Sequence, residues 1–326
     1  MGERITLILA GGELTQTYSD GHHYAHPGVS SEEIASWLPD DLKEDLDIVD
    51  WTRQPSGHFT LRLTSDLIEL AAQQVQNGAR GVVLATGSDG LEEMAYLASL
   101  TWSYPQPLVF AAGKRPDGVL GSDARATLVE ALRAAASSEA WGCGALVCCQ
   151  GELFDAEDLN EDSNCGRVGL VTSPRGPIGE VLDDKVFIWH KKTPHVTLSP
   201  TVKPARHVEL IYASLGGGEW QMEALASKAD QLDGLVIAGF GGGNVHPTWV
   251  THIKKLLREE VPVVIVSRCP NGRITTYSTS EGCFSKLADL GAINGGDLTP
   301  RRARIKLASA LGAELSGSEL ETFLKS

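Results

Sequence analysis

The stretch LATGSDGLEE, residues 84–93, decides the fold, because an apolar run breaks there at a small polar turn and then becomes helical. Residues 81–85 predict a buried strand, and the apolar residues after the turn recur at helical spacing. Ser88 and Asp89 therefore lie where a strand ends and a helix begins. In an open parallel sheet this edge binds ligands, since free backbone N–H groups and the helix dipole converge there. Taken alone, Asp89 and Glu92 favour an ordinary capping box.

The composition indicates a globular protein long enough for two domains. The chain has 326 residues, of which 42% are hydrophobic and 6% aromatic. Its net charge of -14, from 42 acidic and 28 basic residues, opposes binding to nucleic acid or to an anionic membrane, since both require clustered Lys and Arg. A small-molecule substrate remains as the expected partner. Because we find neither a signal-peptide cleavage site nor a run that could span a bilayer, we expect a cytoplasmic protein.

Strands and helices alternate along the first half of the chain. This alternation predicts an α/β fold with a doubly wound parallel sheet. Gly11 and Gly12 follow the first strand, which indicates a turn where the backbone comes close to another segment. The acidic stretch 152–162 is typical of a solvated surface turn. The predicted strands are 5–10, 46–51, 81–85, 108–112 and 144–149, and the predicted helices are 31–38, 64–77, the segment after residue 90, and 124–136.

A proline-containing segment, residues 191–207, predicts a linker between two domains. The N-terminal α/β domain, residues 1–190, would carry most of the site, and residues 208–326 would form a smaller α/β domain. In the second domain we expect strands at 208–213, 234–238 and 261–267, and helices at 221–227, 248–259 and 300–311.

We expect neither a cofactor nor a metal. The glycine run at residues 239–243 lacks both the Lys-Ser/Thr ending of a P-loop and the full dinucleotide pattern. Histidines in the loop 14–30 are typical of a solvated lid, and no partner ligand has a recognisable spacing. The six cysteines show neither disulfide density nor zinc spacing, so buried free thiols are expected.

Several blocks keep a common order and spacing along almost the whole chain. They are ILAGG at 8–12, GSD at 87–89 with LEEMAY at 91–96, SPRGPIG at 173–179, Thr193-Pro194, IAGFGGGN at 237–244 and SRCPNGR at 267–273. These blocks resemble the bacterial-type L-asparaginase and glutaminase family. The resemblance implies a two-domain asparaginase-like fold, with a larger N-terminal doubly wound sheet domain and a smaller C-terminal α/β domain. It also implies a homodimer or homotetramer with sites between subunits.

The resemblance further implies a catalytic set, from which this chain departs. In the family a threonine just after the first glycine pair attacks a side-chain amide and ammonia is released, with support from a second threonine, an aspartate and a lysine. The first threonine corresponds to Glu13, the second to Ser88, and the aspartate is retained as Asp89. The lysine falls near residues 160–161, where Glu161 offers a carboxylate and no amine. We therefore expect these four residues to be catalytic.

A second set of positions is expected to contact the substrate. The family's Ser-Gln pair, which holds the substrate's α-carboxylate, corresponds to Arg53 and Gln54, and a guanidinium suits a carboxylate through two parallel hydrogen bonds. The family's lid tyrosine corresponds to Tyr18 or Tyr24. The remaining expected contacts are Thr86 and Gly87 beside the turn, Lys114 after the next strand, and Asn244 and Glu281 from the C-terminal domain.

Three functions fit these departures. The first is hydrolysis of an amide or other C–N bond of an altered substrate, through Ser88 or a water activated by Glu13, with weak or no ordinary asparaginase activity. The second is non-hydrolytic acid/base chemistry such as elimination, cyclisation or isomerisation, because crowded carboxylates raise at least one pKa and so supply an acid and a base. The third is a catalytically silent relative that binds an amino-acid-like ligand. Retention of Ser88 and Asp89 places the first slightly ahead.

Overall fold

The computed structural model describes residues 4–18, 26–27, 29–163, 169–172, 175–191 and 196–326, which fall into two compact units, residues 1–201 and 202–326. Tyr24, Cys165, residues 173–174 of the block at 173–179, and the whole block at 193–194 lie outside the described residues. No helix in the described part of the chain is both long and apolar enough to cross a membrane.

The first unit contains strands β1 (Ile5–Leu9), β2 (Gln16–Thr17), β3 (His26–Pro27), β4 (Leu46–Asp50), β5 (Gly81–Thr86), β6 (Leu108–Ala112), β7 (Ala145–Cys149), β8 (Glu152–Asp155), β9 (Leu159–Glu161), β10 (Leu170–Thr172), β11 (Gly179–Leu182) and β12 (Lys185–Ile188). Eight of them form one sheet in the order β12-β11-β8-β7-β6-β5-β1-β4. The five neighbouring strands β7, β6, β5, β1 and β4 are parallel. The other three, β8, β11 and β12, each run antiparallel to the strand before them in the sheet. The pairs β2–β3 and β9–β10 are separate antiparallel hairpins.

The helices of this unit are α1 (Ser31–Trp37), α2 (Asp40–Lys43), α3 (Leu61–Gln76), α4 (Leu91–Thr101) and α5 (Ala124–Ala136). Apolar residues of α1 and α5 form one buried core with the sheet face that contains Leu7, Leu9 and Val83. The buried residues of α3 and α4 lie outside that core, and these helices pack on each other and contact β5 and β7. Helices therefore cover both faces, and the predicted doubly wound sheet is confirmed.

Three local predictions are wrong. The acidic stretch 152–162 contains β8 and β9, because its apolar residues Leu153, Phe154 and Leu159 are buried. The capping box does not form: Gly90, with φ +69°, is the N-cap of α4, and the Glu92 carboxylate binds a different backbone group. Cys269 is exposed, whereas the other four described cysteines are buried free thiols as expected.

The second unit is a four-stranded parallel sheet in the order β13 (Val208–Tyr212), β14 (Gly234–Gly239), β15 (Val263–Ser267) and β16 (Ile293–Asn294). Trp249, Ile253 and Leu256 from one helix pack against the sheet residues Ile237 and Ile265. Its helices are α6 (Glu219–Ser227), α7 (Trp249–Arg258), α8 (Phe284–Asp289), α9 (Pro300–Gly312) and α10 (Gly317–Lys325). The predicted smaller α/β domain is confirmed, with α8, α10 and β16 added to it.

Candidate active site

The glycine pair after β1 brings the ends of β1 and β5 into contact. Gly11 and Gly12 have φ values of +83° and +66°, and the Gly12 N–H donates to the Gln54 carbonyl at 3.1 Å. A Cβ at Gly12 would lie 2.5 Å from the Cα of Gly87 and 2.8 Å from the carbonyl carbon of Thr86. The close backbone approach predicted for this pair is thus present. It places residue 13 directly beside the turn at the end of β5.

Glu13 uses that position to bind the turn. Its Oε2 accepts a hydrogen bond from the Ser88 backbone N–H at 3.0 Å. Burial raises the pKa of the Glu13 carboxyl above its ordinary value of 4.5, backbone N–H donors oppose this shift, and the negative charges of Asp89 and Asp123 raise the pKa further. Glu13 therefore faces the turn and shares its electrostatic environment with Asp89. A buried carboxyl with a raised pKa is a candidate group for accepting and returning a proton.

Ser56 is a member of this cluster that the sequence analysis did not single out. Its side chain is only 4% exposed. A Cβ at Gly87 would lie 2.5 Å from Ser56 Oγ and 2.0 Å from Glu13 Oε2. Both oxygens therefore lie close to the Cα of Gly87, in the space that a side chain would fill. The sequence placed the loop at residues 52–57 on this edge, but nothing in the loop's pattern distinguished this hydroxyl from its polar neighbours.

The turn runs from the core to the surface within four residues. Thr86 and Gly87 are buried, Ser88 is partly buried, and Asp89 is exposed. The hydroxyl of Thr86 is buried and has no hydrogen-bond partner among the described residues. Asp89 Oδ2 lies 3.2 Å from the position that a Cβ of Gly57 would take, so the loop after β4 flanks the turn.

Lys114 and Glu161 form an ion pair on the other side of the turn. The Lys114 Nζ lies 3.9 Å from Glu161 Oε1 and donates to the Ser163 carbonyl at 3.2 Å. The Glu161 backbone N–H donates to Glu92 Oε2 at 2.7 Å, which ties β9 to the first turn of α4. The Lys114 backbone N–H donates to the Asp123 carboxylate at 3.1 Å. Residues 160–161, where the resemblance implies a lysine, therefore have the ammonium of Lys114 beside them.

The predicted carboxylate-binding pair, Arg53 and Gln54, has partners within the protein. The Arg53 guanidinium forms hydrogen bonds with both carboxylate oxygens of Asp50 and with the Val29 carbonyl. These contacts would have to break before the guanidinium could reach a ligand. The Gln54 side chain is exposed, and its backbone carbonyl holds the glycine pair.

The remaining predicted residues are spread over both units. Tyr18 is 41% exposed, and its backbone N–H donates to the Asp117 carbonyl at 3.0 Å. In the second unit, the backbone of Asn244 pairs with Phe240 through two hydrogen bonds of 2.7 and 3.0 Å, which close the glycine turn after β14. Glu281 is exposed just before α8. Their contacts with a substrate stay predictions.

Comparisons with known proteins agree with this architecture. Residues 4–194 match the model for the N-terminal domain of asparaginase, and residues 207–324 match that for the glutaminase/asparaginase C-terminal domain. The chain is 27% identical over 320 residues to an L-asparaginase of Bacillus licheniformis, covering 97% of this chain and 98% of the relative. It is 28% identical over 328 residues to a probable L-asparaginase of Deinococcus radiodurans, covering 97% and 95%.

A solved structure has the same fold. It is that of a probable cytoplasmic L-asparaginase from Campylobacter jejuni, with a TM-score of 0.86, 22% identity and 99% of each chain covered. The two domain matches together span nearly the whole chain, in the order in which the two units occur. This chain therefore belongs to the glutaminase/asparaginase family.

Proposed function

We propose that this protein hydrolyses an amide or other C–N bond of a small amino-acid-derived metabolite, with Glu13 as its acid/base group and with weak or no ordinary asparaginase activity. Family membership supports an amidohydrolase-type function. The observation that carries the finer proposal is the Glu13 carboxyl, which has a raised pKa and accepts the Ser88 N–H at 3.0 Å. A carboxylate in that place can move protons but cannot act as a hydroxyl nucleophile.

In the proposed reaction, ionised Glu13 takes the proton of Ser88 Oγ as that oxygen attacks the amide carbon. The carbonyl electron pair moves onto oxygen, and when it returns, the C–N bond breaks. Protonated Glu13 gives its proton to the leaving nitrogen, so ammonia or an amine departs. Water then attacks the Ser88 ester while Glu13 takes one of its protons. Glu13 returns this proton to Ser88 Oγ as the ester C–O bond breaks, and the acid is released. A raised pKa suits both steps, because the group can exchange protons in each direction.

We expect little or no ammonia release from asparagine or glutamine. The resemblance implies a hydroxyl at residue 13 and an amine near residue 161, and this chain has a carboxylate at each, Glu13 and Glu161. A coupled ammonia assay with both amino acids, and with a panel of other small amides, measures this. The L-asparaginase of Bacillus licheniformis is the positive control, and turnover of asparagine at its rate would contradict the proposal.

Ser88→Ala is expected to lower kcat on an identified amide substrate at least about 100-fold, with a small change in KM, because it removes the attacking oxygen. Ser137→Ala is the matched control, since Ser137 Oγ accepts the Glu139 N–H at the far end of α5. Steady-state kinetics and mass spectrometry of the quenched enzyme report the loss and the site of any acyl adduct. Full activity of Ser88→Ala would instead identify water as the nucleophile.

Non-hydrolytic acid/base chemistry is the second candidate, favoured by the negative charge of Asp89, which contributes to the raised pKa of the Glu13 carboxyl. Elimination, cyclisation or isomerisation would use one carboxyl as acid and the other as base. Turnover in ¹⁸O-labelled water separates the candidates, because hydrolysis places one labelled oxygen in the acid product and the other reactions place none. A ligand that stabilises the protein without any turnover would indicate the silent, ligand-binding relative.

Assembly, domain boundaries and location are also parts of this proposal. We place the substrate site between subunits of a homodimer or homotetramer, with Asn244 and Glu281 supplied by the neighbouring chain. The division into domains 1–190 and 208–326, with a linker at 191–207, belongs to the same proposal. The Campylobacter jejuni protein with the same fold is described as cytoplasmic, which supports a cytoplasmic location for this chain.

A further inference from the structure

Lys114 and Ser88 follow neighbouring strands at the same edge of the sheet. Strands β5 and β6 are parallel neighbours, and Thr86 pairs with Ala112 at their carboxyl ends. Ser88 and Lys114 each lie two residues beyond these partners. Adjacent strands are about 4.8 Å apart, so both residues leave the sheet on the same edge and on neighbouring strands.

The Lys114 side chain is mostly buried, and its ammonium has two partners within the protein. The side chain is only 11% exposed, and its Nζ contacts Glu161 Oε1 at 3.9 Å and the Ser163 carbonyl at 3.2 Å. A Cβ at Gly169 would lie 2.3 Å from this Nζ and 1.8 Å from the Ser163 carbonyl oxygen, so the backbone of residue 169 packs closely against both groups. Fixing a lysine side chain costs rotamer entropy, which solvated surface lysines do not lose.

The same hairpin is fastened to the catalytic turn. The Glu161 N–H donates to Glu92 Oε2 at 2.7 Å, and Glu92 lies three residues after Asp89 in the first turn of α4. Lys114 is held from the other side, because its backbone N–H donates to Asp123 at 3.1 Å. The ammonium is therefore positioned relative to the turn by hydrogen bonds on both sides.

Negative charges are concentrated at this edge of the sheet, and a nearby cation would offset their repulsion. Asp89 and Asp123 already raise the pKa of Glu13 by repulsion. The negative charge that develops on a carbonyl oxygen during attack at Ser88 would meet the same repulsion. Preorganised positive groups near such an oxygen are commonly the largest contribution to catalysis in acyl transfer.

We propose that Lys114 is a catalytic residue whose ammonium stabilises the anionic carbonyl oxygen formed during C–N bond cleavage, and that Glu161 is its positioning residue. The inference rests on the proposed amide hydrolysis. Lys114 forms no bond and exchanges no proton in this step: the attacking oxygen adds to carbon, the carbonyl pair moves to oxygen and returns, and the nitrogen leaves. The amine is thus supplied from the end of β6, while β9 supplies its counter-ion.

Lys114→Met is expected to lower kcat about 100- to 1000-fold with KM changed by less than about threefold, because the charge acts on the transition state. Glu161→Gln is expected to lower kcat about tenfold by loosening the ammonium. Lys191→Met is the matched control, since Lys191 Nζ donates to the Trp141 carbonyl at 2.8 Å, before the amino end of β7. Stopped assays on the amide substrate found for the wild type give both constants.

A double variant that moves the ammonium from residue 114 to residue 161 distinguishes a catalytic role of the charge from a purely structural role of Lys114. Lys114→Met combined with Glu161→Lys returns an ammonium to the same place from β9, and we expect it to regain at least about tenfold in kcat over Lys114→Met alone. A kcat of Lys114→Met equal to that of Lys191→Met would overturn the inference while leaving amide hydrolysis intact. Loss without any regain in a double variant with wild-type thermal stability would also overturn it. A wild type that cleaves no amide would instead overturn the proposed function, and the inference with it.

Discussion

Replacing Glu13 with glutamine is expected to lower kcat on the amide substrate about 100- to 10 000-fold, the range typical of losing a general acid/base group. Glutamine keeps an oxygen that can accept the Ser88 N–H, now 3.0 Å from Glu13 Oε2, so the turn at residues 87–89 should keep its geometry. Its amide cannot accept and return a proton. Steady-state kinetics of the folded variant measure the loss.

Glu130→Gln is the matched control. Burial also raises the pKa of the Glu130 carboxyl, and this group likewise accepts one backbone N–H, from Gly151 at 2.7 Å. It lies on α5 against the β7–β8 hairpin, not at the turn. Equal activity in Glu13→Gln and Glu130→Gln would show that the Glu13 carboxyl does not take part in the reaction.

Glu13→Gln should also change how the free energy of unfolding depends on pH. The pKa of Glu13 is raised in the folded protein, so between 4.5 and the folded value the native state binds more protons than the unfolded state. The stability of the wild type then falls as pH rises through this interval. Glu13→Gln removes the effect and should be the more stable protein at neutral pH, with no such advantage below pH 4.5. Denaturation at several pH values measures it.

The sequence predicts most of this sheet edge, because period and position suffice for it. An apolar run followed by small polar residues marks the end of a buried parallel strand, and such ends meet on one edge. The sequence alone therefore predicts that Glu13 after β1 and Ser88 after β5 lie close together. The glycine pair just before Glu13 predicts a close backbone approach, and the contact of Gly12 with Gly87 confirms it.

The other half of the edge depends on contacts that no local pattern encodes. Glu92 stands where a capping box would use it, yet its carboxylate binds the N–H of Glu161, almost seventy residues away. The acidic composition around Glu161 predicts a surface turn, whereas the chain forms two short strands there. The sequence therefore does not identify Glu161 as the partner of Lys114. Ser56 was one polar residue among several in its loop, and only the packing over Gly87 distinguishes it.

Gly12→Ala is expected to destabilise the protein by roughly 2–6 kcal/mol and to abolish activity. Gly12 has φ +66° and ψ −165°, a conformation essentially restricted to glycine, which costs another residue about 1–3 kcal/mol. The added Cβ would also overlap the backbone of Gly87, and forcing extra carbon into packed structure costs about 1–3 kcal/mol more. Chemical denaturation measures the first effect, and the amide assay on protein that remains folded measures the second.

Gly142→Ala isolates the part of this loss that comes from close approach. Gly142 also has a positive φ, +79°, but a Cβ there would meet nothing within 4 Å. It should therefore show the conformational cost alone and keep its activity, because Gly142 lies before the amino end of β7. If Gly12→Ala were no more destabilising than this control, the ends of β1 and β5 would have room to separate. Glu13 would then not be held against Ser88 by the backbone, and the acid/base role assigned to it would lose its structural basis.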